Sequence, residues 1–285
     1  MRRHSIRPKK RLSQNFLIDP SALEMVLRAA ELEGTESVLE IGAGLGSLTR
    51  LLVQAARRVT AFEVDRSLEA ALREAVGSAS NLSVVWGDIL EADWAAEVGG
   101  GRYAVVANIP YSITSLLLRR LLESEQAPFR IVLTLQKEVV ERILSGPGDM
   151  SLLALSVQVY GHPRLAGRIP ADSFFPPPDV DSAVLRVDVH QEPAVGPDLV
   201  ATFFRAARAG FSQKRKQLRN ALAAGLGVPV AQAVAWLQEA RIDPSRRAQE
   251  LSLEDWARLA TLLPERNQFR GGGRPEARKR GDRAG

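Results

Sequence analysis

One short stretch of the sequence carries side chains that could do chemistry on an aromatic amine. Residues 108–111 read Asn-Ile-Pro-Tyr, and they follow an apolar run, 103–107, that is typical of a buried strand. The Asn108 side-chain oxygen and a backbone carbonyl near Ile109 or Pro110 could accept both hydrogens of an exocyclic amine. Pro110 fixes its own φ and so stiffens this turn, while Tyr111 could stack on the base that carries the amine. The simpler alternative is an Asn-Pro turn with a packed tyrosine.

A glycine-rich segment earlier in the chain is the second candidate for a binding site. The sequence EIGAGLG at 40–46 places Gly42, Gly44 and Gly46 between a predicted strand and a predicted helix. Glycine permits unusual dihedral angles there and lets a ligand lie against the backbone at the start of a helix. Ser47 stands where the dinucleotide pattern requires glycine, and no Gly-Lys-Ser/Thr of a P-loop follows. A tight turn without a ligand is the alternative.

Two acidic residues indicate which type of ligand could bind at the glycine-rich segment. Glu63 ends the second predicted strand, about 20 residues after the glycines, where an acid can hold ribose hydroxyls. Asp88 ends the third strand, and Asn108 ends the fourth. In an open α/β sheet, ligands bind at the carboxyl ends of the strands. A glycine loop with two acids and no phosphate-binding lysine fits S-adenosylmethionine better than NAD.

A methyl-sulfonium donor beside Asn108 suggests a specific reaction. An exocyclic amine of a base is a poor nucleophile because its lone pair is delocalised into the ring. Two acceptors that hold its hydrogens favour a pyramidal nitrogen whose lone pair points at the methyl group. Catalysis would then rest on positioning and fixed dipoles. We expect no metal, since the chain has no cysteine and its three histidines are scattered.

The elements that position these residues follow an α/β pattern. A first helix begins at Asp19-Pro20, which suit the N-cap and the first helical position. Strands are predicted at 37–44, 58–65, 81–88, 103–108 and 130–136, and helices at 47–56, 66–76, 113–123 and 137–144. This alternation predicts a parallel sheet covered by helices on both faces. Two further strands, near 162–170 and at 182–189, could run antiparallel.

A change of pattern predicts the domain organisation. The Pro- and Gly-containing stretch 190–198 separates the α/β part from four predicted helices, at 198–209, 213–224, 229–240 and 252–263. We therefore predict a domain at 1–190 and a small all-helical domain at 191–264. The tail 265–285 contains three consecutive glycines and many charges, so we expect it to be basic and disordered.

The charge distribution indicates a polyanionic partner. The net charge is +5, and no Asp or Glu occurs between Leu199 and Gln238. Six basic residues cluster in that segment: Arg205, Arg208, Lys214, Arg215, Lys216 and Arg219. Solvated helices usually mix charges of both signs, so we predict RNA binding here, with an ordinary solvated face as the alternative. No run of roughly 18 apolar residues is present, so we expect a cytoplasmic protein without a membrane partner.

Eight segments together carry a resemblance to a known family. They are QNFLID (14–19), EIGAGLGSLT (40–49), FEVD (62–65), GDIL (87–90), NIPY (108–111), FFPPPDVDSAV (174–184), FSQKRKQLRNAL (211–222) and ELSLEDWARLA (250–260). In these segments the chain resembles the KsgA/RsmA family of small-subunit ribosomal RNA adenine N6,N6-dimethyltransferases. The resemblance covers nearly the whole chain. It implies a class I, Rossmann-like, S-adenosylmethionine-dependent methyltransferase domain followed by a helical domain.

The resemblance also implies roles for individual residues. Asn15 and Leu17, together with Gly42, Glu63, Asp88 and Asn108, would contact the cofactor. Phe174 would be the second aromatic that holds the target adenine, opposite Tyr111. The residues alone leave a core role for this loop open. The implied reaction places four methyl groups on two adjacent adenosines in the 3′-terminal hairpin loop of the small-subunit RNA, where unstacked bases can enter a pocket.

Three positions depart from the family pattern. Ser13 stands where glycine is usual, Asp179 where lysine is common, and Gln249 where glutamate is frequent. None of them is a predicted catalytic residue. The family further implies a pre-30S particle as partner, and we expect a monomer. An Erm-type methyltransferase of large-subunit RNA and a non-catalytic RNA-binding assembly factor are the alternatives.

Overall fold

The computed structural model describes residues 6–264, and the predicted tail 265–285 lies outside the described residues. The strands are β1 Phe16–Leu17, β2 Ser37–Ile41, β3 Arg58–Glu63, β4 Leu82–Trp86, β5 Tyr103–Asn108, β6 Arg130–Gln136, β7 Gly161–Ile169, β8 Phe174–Phe175 and β9 Ser182–Val189. The helices are α1 Pro20–Ala30, α2 Thr49–Ala55, α3 Glu69–Val76, α4 Trp94–Val98, α5 Thr114–Leu122, α6 Lys137–Ile143, α7 Leu152–Gln158, α8 Val200–Phe211, α9 Leu218–Leu226, α10 Val230–Glu239 and α11 Leu253–Leu262.

The main sheet has seven strands in the order β4-β3-β2-β5-β6-β9-β7. The first five are parallel, β9 runs antiparallel to β6, and β7 runs antiparallel to β9. The antiparallel pairing of the two last strands agrees with the sequence, and β7 has the same direction as the first five strands. The chain builds outward from β2 to β4, then returns to the other side of β2 with β5. Ligands bind at such a reversal of strand order, outside the carboxyl ends of the strands. The strand order therefore places a candidate ligand site outside the carboxyl ends of β2 and β5.

Helix α1 shows how local signals fix one of the covering elements. The Asp19 side chain accepts the N–H of Ala22 at 2.8 Å, and Pro20 is the first helical residue. Leu23 and Val26 lie on one face of the helix and are buried against the sheet. The helix ends at Ala30, and Glu31, which follows it, has a left-handed φ of 45°.

The buried side chain of Arg186 connects the end of α1 to strand β9 of the sheet. Arg186 of β9 donates to the carbonyl oxygen of Ala29 at 2.9 Å and pairs with Glu31 at 2.7 Å. Its guanidinium also pairs with Asp188 at 2.9 Å. The last carbonyls of a helix have no partner within it, so this contact satisfies a group that burial would otherwise leave unpaired.

Some elements differ from the sequence-based expectation. The predicted helix 66–76 divides into a short 3₁₀ turn, Arg66–Leu68, followed by α3. Helices α4 and α7 were not predicted, and neither was the two-stranded pairing of β1 with β8. These elements have two to seven residues, which is too short for a hydrophobic period to identify. Helix α9 begins five residues later than predicted, so the basic residues 214–216 lie in a loop.

The four C-terminal helices α8–α11 pack around a core of their own, which includes Phe203, Leu222, Leu237 and Trp256. Ala154 and Leu155 of α7 also belong to this core. It therefore extends across the predicted boundary at residue 190.

Gln249 adds polar contacts at this junction. Its carbonyl oxygen accepts the N–H groups of Gly148 and Met150 at 2.9 and 3.0 Å, and its side-chain nitrogen donates to the Gly148 carbonyl oxygen at 3.0 Å. Glutamate, which is frequent here in the family, has no N–H to donate.

Within residues 6–264, no single helix is long and apolar enough to cross a membrane; α9 and α10 reach that length and composition only as a pair bent by 119°.

Candidate active site

A cavity of about 250 Å³ opens at the carboxyl edge of the parallel strands. It brings together most of the predicted site residues, which are Asn15, Gly42, Gly44, Glu63, Asp88, Asn108, Pro110 and Tyr111. They come from the N-terminal segment and from the ends of β2, β3, β4 and β5. This convergence follows from the parallel arrangement, because the carboxyl ends of parallel strands meet at one edge of a sheet.

The glycine loop has the geometry that its sequence predicts. Gly42 and Gly44 have φ values of 81° and 57°, in the region that favours glycine. A Cβ atom at Gly44 would lie 3.2 Å from the ring of Phe16. At Gly46 it would lie 2.9 Å from the side chain of Leu72 of α3. The loop therefore presents bare backbone to the cavity and packs closely on its other side.

Glu63 is held by the backbone around it. Its two carboxylate oxygens accept the N–H groups of Gly44 and Asp65, each at 2.8 Å. Burial raises the pKa of Glu63 above its ordinary value, and these hydrogen bonds oppose that shift. A carboxylate has about four acceptor positions, so the side chain can still accept hydrogen bonds from hydroxyl groups in the cavity.

The N-terminal segment covers one wall of the cavity and is tied down by Asp65. Lys9 Nζ lies 2.6 Å from Asp65 Oδ1, and Gln14 Nε2 donates to Asp65 Oδ2 at 2.9 Å. Burial alone would raise the pKa of Asp65, but hydrogen bonds from Lys9, Ser67 and Gln14 hold it well below its ordinary value. Lys9 and Asp65 were not predicted from the sequence. The signal for Asp65 was the motif FEVD, in which it follows Glu63 by two residues.

Ser13 lies within this segment and has a left-handed φ of 49°. Residues with a Cβ adopt this conformation at a cost, whereas glycine does so readily. The family's usual glycine at this position therefore has a backbone explanation, and the serine here holds the same turn.

The Asn108 amide has a fixed orientation. Its side-chain nitrogen donates to the main-chain carbonyl of Asn15 at 3.2 Å. A carbonyl oxygen can only accept, so the amide nitrogen must point at Asn15 and Oδ1 must point the other way. Asn15 therefore acts through its backbone, as the anchor of the predicted catalytic amide.

Tyr111 is held at both ends. It begins a 3₁₀ turn after Pro110, which has a φ of −59°, and its carbonyl accepts the hydroxyl of Thr114 at 3.1 Å. Its own hydroxyl lies 2.7 Å from Oγ of the buried Ser182. Burial raises the pKa of Tyr111, so the phenol keeps its proton near neutral pH. Ser182 lies in the segment FFPPPDVDSAV (174–184) and was not assigned a role from the sequence.

Leu17 and Phe174 do not line this cavity. They face each other across the β1–β8 pair, and they are only 4% and 2% exposed. Both side chains pack in the core beneath α1, with Leu23 and Ile169. The family resemblance implied a place for Phe174 opposite Tyr111, but the strand alternation turns its ring into the core.

Asp88 reaches the cavity from beyond the end of β4, where it is exposed. Its Oδ1 accepts the N–H of Leu90 at 2.9 Å. Asp88 is therefore a solvent-exposed acid among the residues that line the cavity.

Glu40 is a buried acid that the sequence did not single out. With Gly42, Gly44 and Asn108 it lines a small pocket of about 30 Å³ beside the main cavity. Its Oε2 has no hydrogen-bond partner, and burial raises the pKa of Glu40 to about 8. A polar ligand group that entered this pocket could form a hydrogen bond with the unpartnered oxygen.

A family model described as "Ribosomal RNA adenine dimethylase" matches residues 6–265. The chain belongs to the ribosomal RNA adenine dimethylase family. A relative from Dehalococcoides mccartyi, named "Ribosomal RNA small subunit methyltransferase A", is 43% identical over 266 residues, 93% of this chain and 91% of the relative.

Two solved structures extend the similarity to three dimensions. A dimethyladenosine transferase from Plasmodium falciparum has a TM-score of 0.75 at 25% identity, covering 86% of this chain and 95% of that one. The 23S rRNA methyltransferase ErmE has a TM-score of 0.71 at 27% identity, covering 87% and 98%. The predicted class I methyltransferase fold with a helical C-terminal part is confirmed.

As a ribosomal RNA adenine dimethylase, the chain uses S-adenosylmethionine. The residues present fit this cofactor. The glycine loop has no Cβ at Gly42 and Gly44, Glu63 keeps acceptor positions for hydroxyl groups, and Glu40 has an unpartnered oxygen in the adjoining pocket. Within residues 6–264, no group of three or more acidic or histidine side chains is arranged to hold a metal ion.

The structure places the six basic residues of the predicted RNA-binding cluster of this dimethylase in different surroundings. Lys214, Arg215 and Lys216 are exposed in the loop between α8 and α9. The Arg205 side chain instead donates to the carbonyl of Pro264 and is partly buried. These residues are close along the chain, but they are not equally exposed in the fold.

The other two members of the cluster lie on helices. Arg208 of α8 lies 6.0 Å from the ring of Phe204 and lines a groove between the two parts of the chain, beside Arg130 at the start of β6. That start is the sheet edge opposite the cavity. Arg219 is partly buried near the beginning of α9.

Proposed function

We propose that this chain methylates the N6 amines of two adjacent adenosines in the 3′-terminal hairpin loop of small-subunit ribosomal RNA. One observation carries the proposal: the Asn108 amide is anchored to Asn15 with its oxygen directed away from that anchor, at the rim of the cavity. The 43% identity to a methyltransferase named for the small subunit supports the choice of RNA.

Asn108, Pro110 and Tyr111 position the target adenine. Asn108 Oδ1 and a main-chain carbonyl of the 109–110 turn accept the two amine hydrogens, which turns the nitrogen lone pair towards the methyl donor. Tyr111 stacks on the base. S-adenosylmethionine supplies the methyl group. As the nitrogen bonded to the methyl carbon, the methyl–sulfur bond of the donor would break and leave a neutral thioether. The nitrogen then carries a positive charge and loses a proton to water through these acceptors, so no strong base is required.

The remaining cavity residues hold the cofactor. Glu63 accepts hydrogen bonds from ribose hydroxyls, the backbone of Gly42 and Gly44 lies against the ligand, and Asp88 closes the open side. Asn15 contributes through its segment, which covers the cavity. Leu17, although the resemblance implied a cofactor contact, acts by holding β1 in the core.

The exposed loop Lys214–Arg215–Lys216 binds RNA phosphates, with Arg208 and Arg219 on the adjoining helices. The substrate in the cell is a pre-30S particle in the cytoplasm, and the enzyme acts on it as a monomer. The α/β part performs the transfer, and the helical part positions the RNA.

An Erm-type activity on large-subunit RNA is the second candidate, because the TM-score of 0.71 to ErmE shows that the same scaffold serves that substrate. The identity to ErmE is 27%, against 43% to the small-subunit relative. The lower identity makes this candidate secondary.

The deciding experiment offers methyl-labelled S-adenosylmethionine with unmodified small-subunit particles or with unmodified 23S RNA. We expect dimethyladenosine near the 3′ end of the small-subunit RNA, detected by mass spectrometry, and no label with Asn108→Ala. Label in 23S RNA alone would overturn the choice of substrate. If neither RNA were labelled, the proposed methylation would be refuted and the chain would be better explained as a non-catalytic RNA-binding assembly factor.

A further inference from the structure

The short β1–β8 ribbon has two faces with opposite character. Leu17 and Phe174, which are cross-strand partners, are buried in the core. Phe175 pairs across the ribbon with Phe16, and the residue is 47% exposed. The N–H of Ile18 donates to the Ser173 carbonyl at 3.0 Å, which extends the pairing by one residue, and Ile18 is 49% exposed. Alternation therefore places Phe16, Ile18 and Phe175 on the outer face.

Phe16 connects this outer face to the active site. Its ring lines the main cavity and packs against Gly44 of the glycine loop. Side chains of directly opposed residues in an antiparallel pair lie next to each other on one face. Phe175 therefore lies beside Phe16 at the rim of the cavity, although it does not line the cavity itself.

The loop that carries Phe175 is held from both sides. The backbone N–H of Ala171 donates to Asp181 at 3.0 Å, and Pro176, Pro177 and Pro178 follow Phe175 directly. Proline restricts the backbone it belongs to. An exposed aromatic ring on a stiff loop loses little freedom on binding, and such rings are the usual platforms on which single-stranded RNA bases stack.

We propose that Phe175 stacks on the base adjacent to the adenine that occupies the cavity, with Ile18 completing an apolar platform for that base. The proposal rests on the proposed function, because it requires a single-stranded RNA substrate. Tyr111, inside the cavity, holds the target base, whereas Phe175 holds its neighbour at the rim. In a substrate with two adjacent adenosines, this platform receives the one that is not reacting.

The test compares Phe175→Ala, Phe175→Leu and Phe175→Tyr by steady-state methylation of unmodified small-subunit particles. We expect the KM for the RNA substrate to rise about tenfold in the Ala and Leu variants, since stacking on one base contributes roughly 1–3 kcal/mol. The Tyr variant keeps a ring and should stay within about twofold of the wild type. The dissociation constant for S-adenosylmethionine should stay unchanged in all three variants.

Leu165→Ala is the matched control, because Leu165 is a similarly exposed apolar residue on β7 and does not line the cavity. If Phe175→Leu kept the wild-type KM, an apolar side chain without a ring would be enough for RNA binding. That result would overturn the proposal that Phe175 stacks on a base. A fall in kcat at constant KM would instead assign the ring to the reacting base and overturn the rim placement. Self-association that Phe175→Ala abolishes would identify the face as a protein interface. Failure of the wild type to form dimethyladenosine would refute the proposed function, independently of Phe175.

Discussion

The side-chain nitrogen of Asn108 donates to the main-chain carbonyl of Asn15, 3.2 Å away, and this contact fixes which way the amide faces. The two residues are 93 positions apart in the sequence. The contact joins the end of β5 to the segment that covers the cavity. The amide that we propose to orient the target amine is thus coupled to the segment that forms one wall of the cavity.

Replacing Asn108 with alanine should abolish methyl transfer. The loss should be at least about 100-fold in kcat, comparable to the removal of one preorganised dipole from an active site. Binding of RNA should change little, because Asn108 does not contact phosphates. Single-turnover methylation and filter binding measure the two properties, and a variant with near-normal turnover would refute the role of the amide.

Replacing Asn108 with aspartate tests the contact with Asn15, because the two side chains have a similar shape. A carboxylate cannot donate to the Asn15 carbonyl, so we expect this variant to be inactive as well. Full activity of Asn108→Asp would show that the contact with Asn15 is not needed.

Ser182 should act on the reaction through Tyr111. Removing its hydroxyl by Ser182→Ala frees the Tyr111 phenol, which lies 2.7 Å from it. We expect kcat/KM for RNA to fall about 3- to 10-fold, as for the loss of a single hydrogen bond, with unchanged cofactor binding. Tyr111→Phe should have a similar effect.

The double variant decides whether the two residues act together. If they do, Ser182→Ala combined with Tyr111→Phe should cost no more than either single change. If the losses in kcat/KM of the two single variants added in full in the double variant, Ser182 would contribute to catalysis independently of the tyrosine ring.

Neutralising Lys214, Arg215 and Lys216 together should weaken RNA binding and reduce its salt dependence. Each lost phosphate contact lowers the slope of log K against log salt by about 0.7 to 0.9. Three contacts would therefore lower it by about 2 to 3. Arg73→Gln is the control, because Arg73 pairs on the surface with Glu69 of the same helix. An unchanged slope in the triple variant would place the loop away from the RNA.

Glu40 should make the stability of the protein depend on pH. Burial raises the pKa of Glu40 from 4.5 to about 8. Between these values the folded protein keeps a proton that the unfolded chain releases. The free energy of unfolding should therefore fall as the pH rises through this window. Glutamine does not titrate, so the free energy of unfolding of Glu40→Gln should fall less over this range. The stability of the variant relative to the wild type should therefore increase from pH 5 to pH 8.

Urea unfolding at several pH values measures this effect. Glu24→Gln, which removes an exposed carboxylate from α1, is the control and should follow the wild-type profile. Parallel wild-type and Glu40→Gln profiles would mean that the carboxyl is ionised in the folded state.

The sequence by itself determined the cavity and its main residues. Gly42, Glu63, Asp88 and Asn108 each follow a short apolar run, and helical segments separate those runs. Parallel strands bring such ends to one edge whatever the details of packing. Local signals also determined α1, because the capping groups Asp19 and Pro20 act within one turn of the helix.

Only the tertiary structure decided the faces and partners of residues whose neighbours are distant in the chain. Nothing local distinguishes Phe174 from Phe175, since the pairing with β1 turns one ring into the core and the other to the surface. Likewise, Ser182 meets Tyr111, and Arg205 meets Pro264, across 71 and 59 residues. The sequence specifies which chemical groups are present, but long-range pairing and packing set their directions.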